Sequence, residues 1–285
     1  MYYIDHFPKQ SSADDLVIIT HHHQDHIRGP KKSFRGTILS SFMTHSLLQL
    51  PQTQPLNYYE TYQTTNYDIT LIPNFHCAGS VGVVIHDKII DQIIGHTGDF
   101  RIWDQTPNAV DDFLHHFRHC HVLHYDDSFQ HHTSYSTIPS LAETQKRLKH
   151  MICSLSSSEP TYIDINRTGL EILFKGWRHE LTVSFHESLS PTMKQVLPLL
   201  YPKEVCRGPY HVMFCHEKGL ADIRPECTAC YIDKCGTFPI CFHNTPEELD
   251  YFLSRVPSHI KLQPCGFQIS LAKNNKNLPE KKQNE

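Results

Sequence analysis

A chain of 285 residues is long enough for one large domain or two small ones, each with a real core. Hydrophobic residues make up 39% and charged residues 20%, which argues against wholesale disorder, and no apolar run approaches the roughly 20 residues of a membrane span. The net charge of -4 weakens a passive nucleic-acid binder, which presents a basic surface, more than an enzyme whose metal ions supply positive charge.

In chain order, the opening Met1-Tyr2-Tyr3-Ile4-Asp5 has neither a basic n-region nor an apolar h-region, so no secretory signal is expected. The 10 cysteines are then expected as reduced thiols or metal ligands rather than a disulfide framework. A short β-branched run predicts a strand over 16–20, running straight into His21-His22-His23-Gln24-Asp25-His26. Further strands are predicted over 69–73, ending at Asn74-Phe75-His76, over 81–86, over 92–96, leading to Thr97-Gly98-Asp99, and over 121–125, leading to Asp126-Asp127. An apolar strand ending in His or Asp thus recurs, as expected of a site built on loops at one edge of a scaffold. A helix is predicted over 139–154, then a turn-rich break, a strand over 161–165 and a helix over 170–177. A last helix over 245–256 has Thr245 to cap it, Pro246 for its first position, and Glu247 and Glu248 at its positive end. The polar stretch 273–285 reads as a disordered tail.

Histidine is in excess, 23 in all, and most of these are expected to be scattered over the surface. The run from His21 to His26 differs from scatter. Residues 21 and 23 alternate along an extended segment, so both rings can point to one side. The turn that follows can aim Asp25 and His26 at a neighbouring point, so one loop can supply ligands to two adjacent ions. Imidazole with carboxylate suits zinc, and the carboxylates also accept magnesium or manganese. The alternative, a surface histidine cluster, is disfavoured by the strand that leads into it.

These residues reach a family. Thr20-His21-His22-His23-Gln24-Asp25-His26 resembles the His-x-His-x-Asp-His signature of the metallo-β-lactamase superfamily. Asn74-Phe75-His76-Cys77-Ala78-Gly79-Ser80 resembles the His-Cys-Pro-Gly-Ser segment of its DNA-repair branch, with Ala78 in place of the usual proline. Thr97-Gly98-Asp99-Phe100-Arg101 and Ile4-Asp5-His6-Phe7 resemble two further motifs of that branch, in the right order. Tyr125-Asp126-Asp127-Ser128-Phe129 and Phe242-His243-Asn244-Thr245 are similar to the acidic and histidine motifs of the β-CASP nucleases, the Artemis/Apollo group. The resemblance spans about residues 2 to 272.

The resemblance implies an α/β fold, an αββα metallo-β-lactamase sandwich with an inserted α/β β-CASP lobe. The sandwich would occupy 1–138 and a returning segment 242–272, the lobe 139–241, and the tail 273–285. It implies a metal-dependent DNA nuclease of repair or end processing, nuclear, acting on single-stranded, overhang or hairpin ends, with no membrane partner. His21, His23 and His76 would hold one zinc; Asp25 and His26 a second ion, zinc or magnesium or manganese; Asp99 would bridge them, and Asp5 would fix the ligands from behind. Asp25, Asp99, Asp126 and His243 would be catalytic, His243 as the proton donor to the leaving oxygen. Cys77 is not expected to act as a nucleophile.

In the RNA-cleaving branch a His ends the last strand; here Leu262 is the match, which favours DNA. Arg167 and Leu170 stand where exonuclease members carry the Ser and Lys of a 5′-phosphate pocket, which leans toward endonuclease action, and the stretch between Asp126 and His243 is shorter than typical. Arg167 and Arg101 are candidate nucleic-acid contacts. A structural zinc held by His211, Cys215, Cys227 and Cys230, with His186 as another donor, is weighed against free buried cysteines. Alternatives are an RNA endonuclease of the same family and an inactive DNA-binding member.

Overall fold

The side chains of 67–73 alternate between buried and half-exposed over most of their length, as a strand with one face on a core requires. That strand, β6 (Tyr67–Pro73), sits in a six-stranded sheet with β5 (Thr61–Gln63), β7 (Val81–Asp87), β8 (Gln92–His96), β9 (Val122–Tyr125) and β13 (Lys261–Pro264). Pairing is antiparallel from β5 to β8 and parallel across β8, β9 and β13. This computed structural model describes residues 1–101, 107–127, 141–154, 160–165, 169–215 and 246–265.

A second sheet is wholly parallel, in the order β1 (Tyr2–Ile4), β2 (Leu16–Ile18), β3 (Thr37–Ser41) and β4 (Thr53–Leu56). All three residues of β2 are buried, the continuous apolar run expected of a parallel strand covered on both faces. Ile4, Leu16, Ile18 and Leu39 of this sheet share one core with Ile69, Leu71, Val81 and Val83 of the six-stranded sheet. Val17, Ile19 and Ile38 point the other way, onto Phe7, Ile27 and Phe34, with Leu48 of α1 (Phe42–Leu48) beside them. On the far side of the six-stranded sheet, α2 (Pro107–His115) and a C-terminal helix bury Val110, Leu114, Leu249 and Phe252 against Leu123 and Tyr125.

Between β9 and β13 lies a second unit with its own core. It comprises α3 (Leu141–Ser154), β10 (Thr161–Asp164), a 3₁₀ helix Leu170–Glu180, β11 (Leu181–Phe185), α4 (Pro191–Leu200) and β12 (Tyr210–Cys215). Its three strands are parallel in the order β10-β12-β11, around Ile163, Phe174, Leu181, Met193 and Phe214. Ser190 starts α4 by accepting from the Met193 N–H, with Pro191 in the first turn, where a missing N–H does no harm. After this unit comes α5 (Pro246–Arg255), and β13 then returns to the six-stranded sheet, setting Lys261 against Val122.

Most strands and helices predicted from the sequence appear, with shifted ends. The strand expected over 16–20 ends at Ile18; the Ile19 N–H still donates to the Leu39 carbonyl, and at Thr20 the N–H turns to the Asp5 carboxylate instead. The helix expected over 170–177 is instead the 3₁₀ segment running to Glu180, interrupted at Trp177 (φ -129, ψ 21). Thr245, residues 139 and 140, and the tail 273–285 lie outside the described residues. Among the described residues no helix is long and apolar enough to cross a membrane. The whole is a mixed α/β fold.

Candidate metal centre

Three loops leave the ends of β2, β6 and β8 and meet. Cross-links set their spacing: the Val81 N–H donates to the Thr20 carbonyl, and the Asn74 side-chain amide donates to the carbonyls of Thr97 (2.7 Å) and Asp99 (2.8 Å). Gly98 completes the junction at φ +61; a Cβ there would lie 2.7 Å from the Val81 carbonyl oxygen and 2.9 Å from Asn74 Nδ2, so only glycine fits.

His21, His23 and His76 point ring nitrogens at one spot. His23 Nδ1 lies 2.9 Å from His21 Nε2 and 3.2 Å from His76 Nε2. Nitrogens about 2.0–2.1 Å from a shared tetrahedral zinc stand roughly 3.3 Å apart, so the spacing suits one ion. Beside them, His26 Nε2 lies 3.6 Å from Asp25 Oδ2 and 3.2 Å from Asp99 Oδ2. The same Asp99 oxygen is 3.8 Å from both His21 Nε2 and His76 Nε2. One carboxylate oxygen therefore stands between a three-imidazole set and an Asp-His set.

Asp5 organises the histidines from behind. Its oxygens accept from the Thr20 N–H (2.7 Å), the Thr20 hydroxyl (2.6 Å) and the His26 Nδ1–H (2.8 Å). With its proton given to Asp5, the Thr20 hydroxyl accepts from His21 Nδ1–H at 3.0 Å. In both rings Nδ1 is thereby committed as a donor, so Nε2 is the nitrogen that faces the metal position. An oxygen of Asp5 also lies within ligand range of His21 and His26. Three of its roughly four acceptor sites are nevertheless taken by these donors, two of them on Oδ2, which sets it behind the ligands.

Charge reinforces this division. Burial, followed by the neighbouring His26, His76, His23 and His22, pushes His21 well below the usual imidazole value and keeps its lone pair available. At His26 burial opposes the charged form, but Asp5 and Asp99 outweigh it and raise the ring to about 11. A cation is what those carboxylates favour at that point. The Cys77 thiol is pushed well above its ordinary value by burial and by Glu171 and Asp99, so it stays protonated and is a poor nucleophile.

Other expected residues fare differently. Asp126 is buried at the end of β9, where its N–H donates to the Thr97 hydroxyl. His243, Arg167, Cys227 and Cys230 lie outside the described residues. Arg101, expected to touch nucleic acid, is buried and sits 3.9 Å from Glu248 on α5, so its charge is turned inward. His211 and Cys215 do not form half of a zinc site. His211 is exposed and bonded to Ser184, Cys215 is buried with its thiol donating to the Ile163 carbonyl, and the two stand four positions apart along the strand, about 13 Å. His186 turns to Ser188.

Two nearby residues were given no role by the sequence. Asn74, 1% exposed, ties the His76 and Asp99 loops together. Cys265, just past β13, has its thiol raised by burial and then by Asp126, Asp127, Asp99 and Asp5, which places it beside the acidic cluster. The only sequence signal for Cys265 is its position after the last strand.

No family model matches the sequence, and no curated protein matches it. Among solved structures, the chain is similar to the crystal structure of a protein of unknown function from Enterococcus faecalis V583. The two are 12% identical with a TM-score of 0.51, over 88% of this chain and 69% of that one. At that identity the likeness speaks to the fold alone, and what it supports is an α/β architecture.

Proposed function

We propose that this chain is a metal-dependent phosphodiester hydrolase that cleaves DNA. The observation that carries the reading is Asp99 Oδ2, one oxygen within reach of both the His21/His76 pair and His26. His21, His23 and His76 would hold one ion, His26 and Asp25 the other, and Asp99 would touch both. The imidazole set suits zinc, and the Asp-His set also takes magnesium or manganese. Bound ions at such a pair of sites polarise a phosphate and bring the pKa of water near neutrality. Asp5 and Thr20 keep the ligand lone pairs aimed, Asn74 keeps the loops in register, and His243 is assigned the proton for the leaving oxygen by its motif.

The finer reading, a metallo-β-lactamase sandwich with an inserted β-CASP lobe, is supported by the order of the motifs. The return of β13 to the six-stranded sheet after a separate parallel unit supports it too. Preference for DNA rests on Leu262 standing where RNA-cleaving relatives of that family carry a His.

Metal analysis of the purified chain, run beside cleavage of 5′-labelled single-stranded, hairpin and overhang DNA and of matching RNA, tests this. The expected result is a bound divalent ion, faster cleavage of DNA, and no cleavage by folded His23→Ala. Folded wild-type protein with neither metal nor cleavage overturns the reading. Faster cleavage of RNA overturns the DNA assignment.

A further inference from the structure

Glu171 is a fully buried carboxylate with no part in the ligand set. It stands at the start of the 3₁₀ helix of the second unit, yet its Oε1 accepts from the Ala78 N–H at 2.9 Å, on the loop that carries His76. Its Oε2 accepts from the Gly169 N–H, and its backbone carbonyl accepts from the Tyr201 hydroxyl, so the second unit grips it firmly. The far end of the same loop is held from the end of β3 and from α1: the Ser41 and Thr44 hydroxyls both donate to the Gly79 carbonyl, at 2.6 and 3.2 Å. Within the loop Ser80 closes a turn on the Cys77 N–H and carbonyl. A carboxylate is an expensive group to bury for packing alone; it is tolerated where it satisfies N–H donors that have no other acceptor. Position 78 matters here. Proline, the residue that the family resemblance leads one to expect there, has no N–H to give, and alanine has one.

We propose that Glu171 is a positioning residue for the metal centre: it latches the His76 loop to the second unit through the Ala78 N–H, so that docking of that unit and metal affinity are coupled. This rests on reading His21, His23 and His76 as a metal site. Removing the latch leaves all three imidazoles in place but frees the peptide two residues beyond His76. The geometry at the ion loosens while the ligand count stays the same.

The test uses the full chain, with Zn²⁺ affinity from chelator competition, the visible absorption of the Co²⁺ form, and the thermal midpoint of metal-free protein. Ala78→Pro removes the donor, while also fixing φ at 78 and restricting Cys77, and Glu171→Ala removes the acceptor. Each should weaken Zn²⁺ binding about tenfold, the lower end for partners that orient ligands, and should alter the Co²⁺ spectrum. Because both cut one hydrogen bond, the double variant should be no weaker than the worse single one. If Glu171→Ala does not fold, Ala78→Pro decides alone. Variants that melt earlier but bind Zn²⁺ and absorb as wild type show a merely structural role and overturn the latch. Wild-type protein that binds neither ion overturns the metal reading itself, and the latch with it.

Discussion

Asp5 reaches its three donors from a backbone at φ 54, a left-handed conformation that aspartate tolerates better than most residues. Asp5→Asn keeps the volume but offers one acceptor oxygen and sets an NH₂ against a donor. Zn²⁺ affinity, measured by chelator competition, should fall about 10–100-fold while the fold persists. Unchanged affinity would take Asp5 out of the ligand-orienting role. Gly98→Ala should be as severe for a steric reason, since its Cβ would press on the Val81 carbonyl and on Asn74 and shift the Asp99 loop. The variant should lose stoichiometric metal in elemental analysis; full occupancy would show that the loop has slack. At this scale the ligands were the legible part, because His21 to His26 crowd their donors into six residues. Asn74 was not, since a neutral amide has no spacing signature and its partners, Thr97 and Asp99, are distant in sequence. Arg101 misled because charge in a sequence does not say which way a side chain turns.

Among the elements, β6 to β9 announced themselves as apolar runs ending in polar loops, whereas β1 and β5 did not. Those two are three residues each, too short for any period to register, and unlike the equally short β2 they sit in no longer β-branched run. The helix expected over 170–177 is there, but its 3₁₀ form and its run to Glu180 left no mark in the sequence, because both helix types bury similar spacings over two turns. Helix α5 illustrates how differently two ion pairs weigh. Its Arg255–Asp111 pair is exposed and contributes little. Its Glu248 is buried against Arg101, and a buried charge deprived of a partner is costly. Glu248→Ala should therefore destabilise the protein by about 3 kcal/mol in urea unfolding, and a loss below about 1 kcal/mol would mean that Arg101 is compensated elsewhere.

Over the whole molecule, acid should act through buried histidines, His21 and His22 of the ligand loop among them, His22 being lowered by burial and His23 to about 4. Burial, partly offset at His96 by Asp5, lowers His96 and His124 from the usual 6.5 to about 4. Folded His96 keeps Nδ1 unprotonated to accept from the Gly98 N–H. A depressed imidazole stabilises the fold above pH 6.5, and that contribution is lost as pH falls from 6.5 to about 4, roughly 3 kcal/mol for each of the two. Glu171, raised by burial to about 7 despite the N–H donors of Ala78, its own amide and Gly169, works oppositely. It is protonated more readily when folded, so its contribution is complete below 4.5 and is lost as pH rises to about 7. The depressed histidines, His21 and His22 included, outnumber this one carboxyl and leave a net loss toward acid, so the urea midpoint of metal-free protein should drop between pH 6.5 and 4. A flat or rising midpoint would show that these rings are not held neutral.

The parallel pairing of β13 with β9 sets a schedule as well as a shape. All the donors that converge on Asp99 precede residue 100, whereas the strand that completes the sheet begins at Lys261. A ribosome adds about 5–20 residues per second, so the ligand loops emerge on the order of ten seconds before β13 does. Through that interval the nascent chain carries the half with the candidate metal centre while the β9 edge is unpaired, open to wrong strand partners. An ion captured early would tie the three loops together while the C-terminal strand is still being made.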